Sequence, residues 1–167
     1  LAVALVVNLV IRPYNNRQKI RGMMLDLQKQ FLPLLEARVI AHRYPDLAPL
    51  RSDMARLDDE MRIFEKQPVA LLHHTVRVSA RRQEAAYLRG CQQLLDKMSG
   101  ELAALCNMDS SPVPSESVLS RMKEHGIAVP ENLPAYGYCS ETDTTVMNFH
   151  IMNLLDAYDF LSALHRE

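Results

Sequence analysis

Tryptophan is absent from the chain, and glycine (5) and phenylalanine (4) are scarce among its 167 residues. Nine methionines stand among many leucines and alanines, so the composition favours helices over sheets. An excess of one charge is missing too. The formal net charge of −1 excludes the basic surplus that a dedicated nucleic-acid binder carries over its contact face, and no nucleic-acid partner is expected. Three cysteines, Cys91, Cys106 and Cys139, have no repeating spacing; they read as reduced thiols of an intracellular or matrix compartment rather than a disulfide framework. The sequence has no Gly-rich phosphate loop, no Gly-x-Ser-x-Gly and no Cys-x-x-Cys. No cofactor, metal or enzymatic activity is therefore expected. The apolar run of about 20 residues that a complete membrane-spanning helix needs is also lacking.

What is present begins with half such a run. Leu1 to Ile11 holds ten apolar residues and Asn8, with no charge. A surface helix of a soluble bundle would turn polar every third or fourth position, so this run is expected to be buried nearly all round, in lipid or in protein. Arg12, Arg17, Lys19 and Arg21 follow, with no acidic residue before Asp26. That is the charge bias of the cytoplasmic or matrix flank of a membrane span. Tyr14 stands where an interfacial aromatic often sits, and Pro13 can mark the exit from the bilayer. The run with its basic collar reads as the visible end of a membrane anchor, with a buried core helix as the alternative.

Beyond the collar, three helical seams repeat in steps of three and four, the spacing that keeps apolar side chains on one stripe. The first is Ile20, Met24, Leu27, Phe31, Leu34, running to about His42 and interrupted by Pro33, which is expected to kink or divide it. Tyr44-Pro45 stops it. The second is Leu47, Leu50, Met54, Leu57, Met61 and Phe64, capped by Asp46 and ended by Gln67-Pro68. The third helix, from about Val69 to Cys106, carries Leu88, Cys91, Leu95, Met98, Leu102 and Leu105. Short connections make neighbouring helices antiparallel.

The texture changes at Asn107. Asp109 to Pro114 is rich in turn formers. Ser115 offers an N-cap to a short helix that ends at Gly126, and residues 127–141 form a long loop. A last helix, capped by Thr142 or Asp143, is apolar over nearly two stripes. It must be central to the fold or covered by a partner. The organisation expected is 1–13 apolar helix, 14–106 three-helix bundle, 107–114 linker, and 115–167 short helix, loop and C-terminal helix. The fold class is all-α: an up-down-up bundle of long antiparallel helices with a C-terminal loop-plus-helix, behind an apolar helix read as transmembrane.

Few residues suggest chemistry. His73 and His74 are adjacent, so on a helix they point about 100° apart and cannot share a metal as an i, i+4 pair would. Cys139 is the thiol in a loop, and His125 and His150 are its candidate bases; a Cys/His enzyme is the remote alternative. Arg77, Arg81, Arg82 and Arg89 form a basic patch that could take a phosphate, an acidic lipid or an acidic partner helix. Phe149, Ile151, Met152, Leu155 and Phe160 are the expected partner-binding face of the last helix. Arg12, Tyr14, Arg17, Lys19 and Arg21 are the expected membrane flank. Together these point to a non-catalytic accessory or scaffold subunit of a membrane-bound assembly. Its partners are other protein subunits and, through the N-terminus, the bilayer, with the body on the cytoplasmic or mitochondrial-matrix side. The alternative is a soluble helical adaptor with the same body.

Overall fold

The computed structural model describes residues 2–66 and 74–166, with side chains for 16–66 and 79–166. The described residues form five helices: α1 (Ala2–Val39), α2 (Ala48–Lys66), α3 (His74–Cys106), α4 (Glu116–Glu124) and α5 (Glu141–Leu164). No strand occurs among them; one isolated antiparallel bridge joins Ser111 to Tyr136. The chain is all-helical.

Polar pairs fix how the helices run. Lys19 meets Glu60 at 2.6 Å and Gln30 meets Asp53 at 3.0 Å, so α1 and α2 are antiparallel. Arg89 reaches back to Asp58, and Arg81 donates to the Phe64 carbonyl, so α2 and α3 are antiparallel too. Arg17 beside Glu84 and Arg38 beside Leu105 set α1 and α3 parallel. Tyr87 donates to the Leu164 carbonyl and His150 meets Glu101, which turns α5 back along α3. The up-down-up core thus gains α5 as a fourth, descending helix, and α3–α5 is its most extensive contact. The short α4 lies alongside α5 and parallel to it, with Ser115 bonded to Asn148 and Arg121 paired with Asp156 at 2.6 Å.

The seams make the core. Leu88, Cys91, Leu95, Met98, Leu102 and Leu105 are all fully buried. On α2, Leu50, Leu57, Met61 and Phe64 are buried and Met54 is half-buried, and Leu47 is buried just before the helix begins. On α1, Ile20, Met24, Leu27, Phe31 and Leu35 are buried, so the seam takes Leu35 where Leu34 was expected. Each such side chain contributes about 1.5–3 kcal/mol on leaving water. One buried polar group crosses the seam: the Gln28 amide donates to Tyr158 O and Ser162 Oγ, tying α1 to α5.

Several expected boundaries move. Pro33 neither divides nor ends α1, which runs unbroken through Pro13 and Pro33. Pro33 and Lys29 are both exposed, so the carbonyl that loses its partner lies on the solvent side of the helix. The helix stops at Val39, short of His42, whose positive φ of 52° breaks the helical path. The cap of α5 is Ser140, earlier than Thr142 or Asp143. Its hydroxyl accepts from the Asp143 N–H while the Asp143 carboxylate accepts from the Ser140 N–H, a reciprocal capping box. Ser115 caps α4 by position without a side-chain bond to the helix backbone, its hydroxyl meeting that of Ser117 instead. At the other end of α4, Ile127 N–H bonds Met122 O and Gly126 N–H bonds Lys123 O. This Schellman turn requires the +80° φ of Gly126. The segment expected as a linker is also no free tether, since Ser110, Ser111, Pro112 and Pro114 are buried.

No helix among the described residues is long and apolar enough to cross a membrane. The apolar run forms the first turns of α1, and its side chains, with those of Arg12 and Tyr14, lie outside the described ones.

Candidate functional site

The two ends of the bundle differ in kind. At the far end, α1 and α3 both terminate, and Arg38 lies between them, fully buried. Its Nε donates to Leu105 O at 2.8 Å, its NH2 nitrogen to Met108 O and Ser110 O, and its NH1 nitrogen to the Ser111 hydroxyl at 2.6 Å. No carboxylate is among these partners. The negative dipole ends of two helices and the turn carbonyls after α3 supply the compensation instead. Tyr44 stacks on the guanidinium at 4.6 Å and itself donates to Met108 O. The Ser111–Tyr136 bridge then pins the long loop over this plug.

Two adjoining clefts open on the plug. One, about 300 Å³, is lined by His42, Tyr44, Asp109, Ser111, Tyr136 and Gly137. The other, about 380 Å³, is lined by Met108, Asp109, Ser110, Tyr138, Asp143 and Val146. The His42 ring lies 4.4 Å from that of Tyr136, and neither ring nitrogen has a hydrogen-bond partner among the described residues. Burial, and then the charge of Arg38, holds its pKa below the ordinary histidine value. No nucleophile–base pair is assembled here. Cys139 turns its thiol to Tyr136 O and Gly137 O. His125 bonds Arg121 O and Asp159, and His150 bonds Glu101 at 2.6 Å, so the structure holds the three candidate residues in three different networks. Asp156 and Asp159 are both engaged by Arg121.

At the opposite, collar end, the structure joins two sequence features that are distant in the chain, with Arg17 and Glu84 in contact 67 residues apart. Arg17 pairs with Glu84 at 2.6 Å, Lys19 with Glu60 at 2.6 Å, and Arg21 lies 5.2 Å over the Tyr87 ring. The expected membrane flank of α1 and the basic patch of α3 therefore share one end of the bundle. Within that patch the four arginines separate. Arg89 chelates Glu65 and reaches Asp58, and these bonds, Glu65 first, raise its pKa. Arg81 stacks on Phe64 and donates to its carbonyl, and its burial lowers its pKa. Both tie α3 to α2. Arg82 is exposed and makes no ion pair among the described residues, and the same holds for Lys66 at the end of α2. The side chains of Arg77 and His74, and all of His73, lie outside the described residues.

The expected partner face of α5 divides. Ile151 and Leu155 are fully buried in the core and Met152 is half-buried, which leaves Phe149 and Phe160, each 59% exposed. From residue 149 to residue 160 is about three turns, so the two rings lie on one side of the helix. Among the described residues no cluster of His, Cys, Asp or Glu is placed to hold a metal ion.

Sequence reasoning missed Arg38. The signal was present: stepping on from Phe31 and Leu35, the next seam position is residue 38, and a charge there marks a buried cation. Its partners, 67 to 73 residues downstream, could not be read from that pattern.

Comparison with protein-family profiles, with curated proteins and with solved structures finds no match to this chain. The fold and the two ends define a class only: an all-helical bundle with a plugged far end and a basic collar.

Proposed function

We propose that the protein is a non-catalytic accessory or scaffold subunit that attaches to a membrane through its N-terminus and holds other protein subunits against its helical body. The observation that carries this reading is the continuity of α1. One helix bears the apolar run, then the basic collar, and then the core seam from Ile20 onward, so attachment at its start would fix the position of the whole bundle. The exposed Phe149 and Phe160 of α5 supply a face for a partner helix. The body would stand on the positively flanked side, in cytoplasm or mitochondrial matrix.

Alkaline carbonate extraction of membranes from cells expressing the chain tests the reading. The protein is expected in the pellet, and a Val6→Asp/Leu9→Asp double variant in the supernatant. Release of the unaltered chain into the supernatant would contradict membrane attachment and leave a helical adaptor with the same partner face.

A further inference from the structure

We infer that the collar end of the bundle binds an anionic lipid surface, with unpaired cations from two helices meeting headgroup phosphates where α1 approaches the bilayer. This rests on the membrane-attached reading and adds the class of lipid.

The register carries the inference. Arg17 beside Glu84 and Arg38 beside Leu105 are both 67 residues apart, so along the bundle axis Arg82 falls level with residue 15 of α1. Lys19 beside Glu60 in the antiparallel pair puts Lys66 level with residue 13. Both cations thus stand at the height of the collar, next to the apolar run. Neither has an ion-pair partner among the described residues, whereas Arg17, Lys19 and Arg89 already have carboxylates.

Charge along the whole chain agrees. Residues 1–25 hold four basic side chains and no acidic one, and residues 67–83 hold three and none. Residues 85–163 hold ten carboxylates against four basic side chains. A net charge of −1 therefore hides a polarised molecule. An anionic surface attracts its collar and repels the acidic stretch, and the attraction reaches only about a Debye length, ~8 Å at physiological salt. Cations at collar height lie within that reach when the apolar run is inserted.

The test is co-sedimentation of the full chain with phosphatidylcholine vesicles, with and without phosphatidylserine. Phosphatidylserine is expected to tighten binding, and added salt to reverse the gain. Removing one cation from the surface should weaken binding about five-fold, so Lys66→Gln/Arg82→Gln should lose roughly 25-fold on phosphatidylserine vesicles and little on phosphatidylcholine. Both residues are exposed and have no ion-pair partner among the described residues, and an unchanged melting curve would show the variant folded. Equal binding to both vesicles, or a gain from phosphatidylserine that the double variant keeps, would overturn the inference and leave membrane attachment standing. Binding to neither vesicle would overturn both.

Discussion

At the far end of the bundle Arg38 is sealed from solvent, and its guanidinium meets three carbonyls and a hydroxyl with no carboxylate. At the collar end Arg17 and Arg89 keep 40% and 35% of their side chains exposed and pair with Glu84, Glu65 and Asp58. The same residue type does different work because the dielectric differs. A buried cation is tolerated only where every strong donor finds an acceptor, so Arg38 is bound into the fold. Exposed pairs contribute little to stability, which leaves cations at that end available for long-range attraction.

Removing Arg38 should have the largest effect on this contrast. Arg38→Met leaves the Ser110 carbonyl buried without a donor, leaves Leu105 O and Met108 O with only the Met108 N–H and the Tyr44 hydroxyl, and empties a buried side-chain site, so urea unfolding should show a loss of about 3 kcal/mol or more. A loss under about 1 kcal/mol would show that the plug is not what closes the far end. Smaller effects belong to the turns that position the loop over the plug. Ser140→Ala dissolves the capping box of α5 and should cost about 1 kcal/mol. Gly126→Ala meets no steric obstacle, yet it forces a side chain into a φ of +80° and should cost about 1 kcal/mol. A thermal melt that either variant leaves unchanged would remove that turn from the account.

The pH dependence rests on a half-buried histidine at each end, His42 at the plug and His165 near Arg21 of the collar. His42 and His165 titrate below the ordinary value of 6.5, both chiefly because burial disfavours the imidazolium. The unfolded chain therefore takes up protons first, and stability should fall as pH drops from about 6.5 through the lowered native values. His42→Asn, which tolerates positive φ, should flatten that slope. Asp58, held low by Gln92, and Glu65, held low by Arg89, contribute stability that is present above about pH 4 and lost below it. The smallest expected effect is that of Arg82→Ala, within about 0.5 kcal/mol of the parent in the same urea assay. A larger loss would place Arg82 in the fold rather than at the surface.

The seams were the legible part of the sequence, because heptad spacing is a local property: the six apolar residues expected from Leu88 to Leu105 are the six buried apolar ones there. At Leu34 and Leu35, adjacent leucines fit the stripe equally, and only the position of the facing helices selects the second. Pro33 misled because a missing N–H costs little on an exposed face. The cap of α5 was readable as Ser140-x-x-Asp143, but Asp143 itself resembles a cap residue. At the far end only Arg38 left a trace in the sequence, as a charge at a seam position, and its partners left none. The plug, clefts and loop bridge join α1 to residues 105–111 and 136, and no periodic signal spans such distances. The collar was legible in two pieces, and only the parallel register of α1 and α3 shows that they share one end.

The most direct test of that polarity is depth-dependent fluorescence quenching on phosphatidylserine vesicles carrying quencher-labelled lipid. A fluorophore is placed at exposed Gln83→Cys, beside Arg82, in a Cys106→Ser/Cys139→Ser background, or on the native Cys139 at the far end in a Cys106→Ser background. The account predicts strong quenching at residue 83 and none at residue 139. Equal quenching at both positions, or quenching at 139 alone, would contradict it.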